Sequence, residues 1–321
     1  MGWGNALKRA VYGFMLASAA ALVASPLAHA ACDQRPLVVF EGQGTIGRYN
    51  PFATPVAKDV RIVITNQSDR PCRFSFSFIR NGGFPFAMLN SSGQVLTYTA
   101  TSDDRPIMSQ SDTPASDQRD DLNVFAPHEI RVQIATLRPD AFQFVPLGDY
   151  TETLRVLFFD ITDGVFQAAI KTELNVSATV IGACKITPPD EPTLNLSSGI
   201  SEGNTDPGSI FSVLIPKVEC TSPATVTLSG GAMQLDHPVG TGGAFDTYID
   251  WVATATFGNA RATFKTDGLN PTVPVRSDRT NTDSGSSSGE ISVDVNMQSN
   301  VRPLMAGHYA GTLTIQIDPV P

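Results

Sequence analysis

The chain is poor in the residues that most chemistry requires. It carries four histidines, four cysteines and two tryptophans in 321 residues, and charged side chains make up only 17%. The cysteines, at 32, 72, 184 and 220, form no C-x-x-C motif, so they do not point to metal binding or dithiol redox chemistry. His128, His237 and His308 are scattered singly, without the H-E-x-x-H spacing of a zinc protease. Lysine and arginine total 22 against 31 acidic residues, with no basic stripe, which speaks against nucleic acid as a partner. Beyond residue 30 no apolar run approaches 18 residues, so no membrane-spanning helix is expected.

Catalysis and cofactors find equally little support. GSSSG (285–289) matches the G-x-S-x-G pattern, but it sits in a polar low-complexity stretch and reads as a flexible loop. Asp103-Asp104 and Asp120-Asp121 could pair as glycosidase acids, though solvated loop charge is the simpler account. The Asp-rich loops lack EF-hand spacing. The reading is a protein that is not an enzyme and needs neither metal nor cofactor.

What the sequence does contain begins with an export signal. Lys8 and Arg9 precede an apolar run from Val11 to Val23, and Ala28-His29-Ala30 offers small residues at a cleavage position. Residues 1–30 are expected to be a secretory signal peptide. Its removal takes two cations from a formal net charge of −9, leaving −11.

The rest is rich in Thr, Ser, Val, Gly and Pro without helix-period segments, the composition of an all-β chain. It also repeats. Only the pairing Cys32–Cys72 with Cys184–Cys220 gives each half its own staple, and such bonds are each worth about 2–4 kcal/mol. Apolar strands, VRIVITN (60–66) and FSVLIPKVEC (211–220), precede or reach each second cysteine. Alternating strands, RFSFSFI (73–79) and ATVTLS (224–229), follow it. Late in each half stands Gly-x-Tyr-x-x-Thr-Leu-x-Val/Ile, as GDYTETLRV (148–156) and GHYAGTLTI (307–315). Two immunoglobulin-like β-sandwich domains are expected, an N-terminal one over 31–180 and a C-terminal one over 181–321.

The copies differ after the Gly-x-Tyr strand. AAIKTELNVSATV (168–180) alternates apolar and polar positions and is fit to close the first sandwich. In the second, the chain stops after Leu313, Ile315 and Ile317 have alternated with Thr314, Gln316 and Asp318. Four large apolar side chains on a closing strand contribute roughly 6–12 kcal/mol, against a whole-domain stability of about 5–15. The second sandwich is therefore expected to need a strand from elsewhere.

These features resemble a chaperone–usher pilus subunit. The MAGHYAGTLTIQID ending, preceded by TNTDSGSSSGEISVDVNMQ, is similar to the spore coat U domain of archaic chaperone–usher pili. The resemblance implies a pilin-type C-terminal sandwich lacking its last strand, with Leu313, Ile315 and Ile317 lining a donor-strand groove. It implies a periplasmic chaperone, an outer-membrane usher and an adjacent subunit that donates an N-terminal strand. Cleavage after Ala30 leaves only Ala31 before Cys32, so this chain is expected to accept a strand and to donate none. That is the arrangement of a two-domain tip adhesin at the distal end of a fibre on the cell surface, attaching to an abiotic or host surface and supporting biofilm formation.

For such a tip, three aromatic loops suggest the contact: GRYNPFATP (47–55), NGGFPFAML (81–89) and RPDAFQFVP (138–146). They nominate Tyr49, Phe52, Phe84, Phe86, Phe142 and Phe144 as adhesion residues. In a plain immunoglobulin order these loops share the pole at which strand 166–180 ends, facing the linker. The opposite pole offers Ile107 and Met108 instead. Competing readings are a structural coat subunit that binds nothing and a secreted carbohydrate-active enzyme.

Overall fold

The computed structural model describes residues 32, 34–80, 86–102, 105–109, 124–160, 167–188, 193–238, 243–281 and 286–321. The chain is all-β, built as two immunoglobulin-like sandwiches, and the described residues contain no α-helix. Strands of three residues or more are numbered here in chain order.

The first sandwich holds β1 (Leu37–Glu41), β2 (Gly44–Tyr49), β3 (Lys58–Thr65), β4 (Cys72–Ile79), β5 (Ala87–Leu89), β6 (Val95–Ser102), β7 (Ile130–Pro139), β8 (Gly148–Asp160) and β9 (Gln167–Val180). One layer runs β1-β3-β7-β6. In the other, β8 lies between β4 and β9, and β9 lies between β8 and β2. The hairpin partner β5 joins the layers by pairing with both β6 and β8. Between the layers pack Ile62, Phe78, Leu96, Tyr98, Leu154 and Leu174, all buried.

The second sandwich holds β10 (Cys184–Thr187), β11 (Ile210–Cys220), β12 (Ala224–Gly230), β13 (Met233–Leu235), β14 (Trp251–Phe257), β15 (Ala260–Lys265), β16 (Ser287–Met297) and β17 (Leu313–Pro319). Its larger sheet has the order β10-β11-β16-β14-β15. The facing layer consists of β12 between the two-residue strand Val275–Arg276 and β17. Its own core gathers Val226, Leu228, Trp251, Phe257, Phe264 and Val293. The cysteines bond as Cys32–Cys72 and Cys184–Cys220, closing spans of 40 and 36 residues.

The repeated Gly-x-Tyr has a physical reason. Gly148 and Gly307 both adopt positive φ, 139° and 154°, a conformation that side chains resist. Two residues on, the Tyr150 hydroxyl donates to the Pro146 carbonyl at 2.8 Å, and the Tyr309 hydroxyl donates to the Met305 carbonyl at 2.9 Å. Each tyrosine thus ties its strand to the turn four residues upstream, the corner that anchors such sandwiches.

Register shows that the two Gly-x-Tyr strands occupy the same place. Across β8 and β4, Val156 faces Phe78 and Phe158 faces Phe76. Across β17 and β12, Ile315 faces Leu228 and Ile317 faces Val226. One difference is local: β8 is continuous for 13 residues, whereas its counterpart breaks at Gly311-Thr312 into Tyr309–Ala310, paired with β13, and β17.

Two expectations need correction. The described part of GSSSG is no loop, because Ser287 opens β16. It is buried and donates to the Ser222 carbonyl at 3.0 Å, so its hydroxyl is a structural donor. Tyr49 likewise belongs to the end of β2 rather than to a connection.

Candidate functional site: an open groove and an apolar loop cluster

The two sandwiches part where β8 and β17 meet their neighbours. β8 pairs with β4 on one side and, over its whole length, with β9 on the other. β17 pairs with β12 from Gly230↔Leu313 to Ala224↔Pro319. Among the described residues, its other edge meets no strand. Backbone donors and acceptors along that edge are left for a further strand, an arrangement that proteins ordinarily avoid or protect.

Beside this edge lies a groove of about 300 Å³. Leu194, Leu196, Val213, Trp251, Leu313 and Ile315 are among the residues that line it. The indole N–H of Trp251 donates to the Gly231 carbonyl at 2.9 Å, which holds the ring in place. Leu313 and Ile315 are half-buried against the core, while Ile317 is buried. Of the three residues expected to line a donor-strand groove, Leu313 and Ile315 line the cavity and Ile317 lies deeper on the same strand. In the first sandwich the corresponding space is filled by Leu174, Val176, Ala178 and Val180 of β9, all buried.

The aromatic loops divide. Tyr49 is buried; its hydroxyl donates to the Asp140 carbonyl and accepts from the Gln143 N–H, both at 3.0 Å. Phe86 is fully buried, with its ring edge-on to Tyr98 at 6.0 Å. Ile107, at the opposite pole, is also buried in the core. The expectation that these three are exposed is therefore wrong: Phe86 and Ile107 are held inward by neighbouring strands, and Tyr49 by the loop residues Asp140 and Gln143. Phe84 and the side chain of Met108 lie outside the described residues.

Phe52, Phe142 and Phe144 remain at the surface. Phe142 is 74% exposed and Phe144 39%, while Phe52 is half-buried with its ring 6.3 Å from that of Phe144. Phe142 also has φ of +57°, a left-handed conformation that costs a residue with a bulky side chain roughly 1–2 kcal/mol. The loop around it is firmly built. The Gln143 side-chain amide donates to the carbonyls of Thr97 (2.8 Å) and Asp140 (2.9 Å), and its oxygen accepts from the Thr97 N–H at 2.6 Å. A strained, outward aromatic on a rigid loop is a candidate contact residue. This loop lies at the pole where the chain leaves for the second sandwich: Ile181 N–H donates to the Tyr49 carbonyl and Leu147 N–H to the Thr221 carbonyl.

A second apolar surface escaped the loop-based reading. On the outer face of β1-β3-β7, register aligns Leu37 with Thr65 and Ile130, and Val39 with Val63 and Val132. Leu37, Val39, Ile130, Val132 and Ile134 are all exposed, whereas Arg131 and Gln133 turn to the half-buried side. The signal was in the sequence, since LVVF (37–40) and IVI (62–64) are continuous apolar runs, the pattern of strands covered on both faces.

Among the described residues no three His, Cys, Asp or Glu side chains gather as metal ligands. His128 pairs with Asp69 at 3.0 Å and His308 with Asp236 at 2.8 Å, both on the exposed surface.

No protein-family model matches the sequence, and no curated protein does. Among solved structures, the chaperone–tip adhesion subunit pre-assembly complex CsuC–CsuE, from archaic chaperone–usher Csu pili of Acinetobacter baumannii, is similar at 14% identity. That match covers 87% of this chain and 100% of the other, with a TM-score of 0.43. The CupB6 tip adhesin of Pseudomonas aeruginosa is similar at 12% identity over 89% of this chain and 98% of its own, with a TM-score of 0.37. The CooA pilin subunit of enterotoxigenic Escherichia coli is similar at 10% identity over 46% of this chain and 99% of its own, with a TM-score of 0.33. Likenesses this distant carry no argument about the site, which stands on its own geometry.

Proposed function

We propose that this protein is a subunit of a chaperone–usher pilus whose second sandwich is completed by a strand from another chain. The observation that supports this most is the contrast between β8, flanked on both sides, and β17, flanked on one beside an apolar groove. A β-strand from a partner would satisfy the open backbone edge and fill the groove at once, the chemistry of strand addition. In the periplasm that strand comes from a chaperone, and at the outer-membrane usher it is exchanged for the N-terminal strand of the adjacent subunit.

The first sandwich already has the place beside β8 filled by β9, which leaves it free to act as the contact module. On this reading the subunit sits at the fibre tip on the cell surface, does no catalysis, and attaches to abiotic or host surfaces during biofilm formation. Phe142, Phe144 and Phe52 are the aromatic contact residues within the described surface.

Periplasmic expression with and without the cognate chaperone tests assembly. Soluble protein is expected only with it; a stable monomer obtained alone would count against the proposal. Replacing Phe142 and Phe144 by Ser tests adhesion, which should fall while assembly persists. The burial of Tyr49, Phe86 and Ile107 leaves fewer exposed apolar loop residues than the sequence suggested, and this favours a second reading, a structural subunit with no ligand. Unchanged attachment by both Phe142→Ser, Phe144→Ser and a Val132→Asp variant of the sheet face would select that alternative.

A further inference from the structure

Three residues, Ile181, Gly182 and Ala183, join β9 to β10, and a short joint with a glycine at its centre is ordinarily a hinge between domains. The hydrogen bonds around it describe something else. We infer that a clasp centred on Thr221 locks the two sandwiches into one rigid unit, so that the first is held at a fixed orientation rather than swinging on its linker. This holds whatever completes the second sandwich.

Thr221 is fully buried and spends every polar group it has on the joint. Its hydroxyl donates to the Ile181 carbonyl at 2.8 Å and accepts from the Ala183 N–H at 2.9 Å. Its own N–H donates to the Ala183 carbonyl at 3.0 Å, and its carbonyl accepts from the Leu147 N–H of the first sandwich at 2.6 Å. The next pair of residues inward, Cys184 and Cys220, is joined covalently, so the clasp is anchored to the disulfide of the second sandwich.

The first sandwich is gripped at two separate places. At one, the Ile181 N–H donates to the Tyr49 carbonyl at 3.1 Å. At the other, Leu147 reaches Thr221. Tyr49 connects the two, because its hydroxyl donates to the Asp140 carbonyl and accepts from the Gln143 N–H in the loop that leads to Leu147. Ile181, Tyr49, the 140–147 loop and Thr221 therefore form a closed ring that crosses between the sandwiches twice. A hinge motion about either crossing has to break the other, and each broken bond would strand a backbone group beside a buried residue. Gly182 itself is not used for freedom: a Cβ there would meet the Pro319 side chain at 3.5 Å, an ordinary contact. The two cores share no residue, so the clasp sets orientation without merging them.

Spin labels on a Lys58→Cys, Lys265→Cys chain, one exposed site in each sandwich, test this by double electron–electron resonance on the full mature protein. A single narrow distance distribution is expected. Adding Thr221→Val, which keeps the shape and removes the hydroxyl, should widen it about twofold or more, while Thr221→Ser should leave it narrow. Retention of both unfolding transitions by the valine variant shows that the widening comes from the joint. A broad distribution without any change at Thr221 would overturn the clasp, and a valine variant as narrow as its parent would overturn the role of the hydroxyl. Should the valine variant not fold, amide exchange on the unaltered chain decides: the Ala183 and Leu147 N–H groups should exchange slowly, and free exchange at either would overturn the inference.

Discussion

Leu154 and Leu174 face each other across β8 and β9, both buried, whereas Leu313, which holds the place of Leu154 in the second repeat, faces a groove. The same residue type in the same motif therefore makes different contributions. Leu154→Ala removes a fully buried side chain and is expected to cost about 2–5 kcal/mol. Leu313→Ala, half-exposed with one flank open, should cost roughly 1 kcal/mol in the chain alone. Once a complementing strand is bound, its cost should climb into the range of Leu154→Ala. Urea unfolding of both variants, with and without the strand, measures the difference.

The two disulfides staple separate sandwiches, and their removal should act separately. Each closes a span of about 40 residues, which corresponds to roughly 2–4 kcal/mol. Replacing Cys184 and Cys220 by Ala should lower the transition of the second sandwich and leave that of the first unchanged. Replacing Cys32 and Cys72 should do the reverse. A common loss from either pair in a differential scanning trace would mean that the sandwiches unfold as one unit.

Much of this architecture was legible. The cysteine spacing, the repeated Gly-x-Tyr strand and the two-faced pattern of 168–180 all depend on local periodicity, and each appears as an element of the fold. Aromatic orientation was not legible, because it is set by partners distant in sequence. Phe86 turns inward to meet Tyr98 of the neighbouring strand, and Tyr49 is captured by loop atoms about 90 positions away. Phe142 points outward from a loop that the Gln143 side chain ties to the carbonyls of Thr97 and Asp140. The sheet face escaped notice for a different reason. In IRVQI (130–134) the alternation is correct, but the sequence does not say which set faces the core, and here the aliphatic set faces out.

The buried tyrosines predict alkaline sensitivity. Burial pushes the Tyr150 hydroxyl up to about 12, and burial, then the neighbouring Glu152, raises that of Tyr98 further. In the unfolded chain both ionise near 10. The folded state holds their protons longer, so this contribution is intact below pH 10 and drains away as pH climbs toward the folded values. Stability should therefore fall between about pH 10 and 12. Tyr150→Phe should flatten that decline while lowering stability at pH 7 through the lost bond to Pro146. Chemical unfolding across this pH range, with tyrosinate absorbance as the second signal, checks both effects.

Phe142 combines exposure with an unfavourable backbone, and the two features predict opposite effects of replacing it. At φ of +57° an asparagine is tolerated far better than a phenylalanine, and little burial is lost because the ring is 74% exposed. Phe142→Asn should therefore leave stability unchanged or raise it by up to about 1 kcal/mol. If the ring is retained for contact, the same variant should lose surface attachment severalfold despite its equal or better fold. A flow-cell retention assay beside urea unfolding separates these quantities. Loss of more than about 1 kcal/mol would mean that Phe142 supports the sandwich, and its strained geometry would then be a structural requirement of the loop that Gln143 builds.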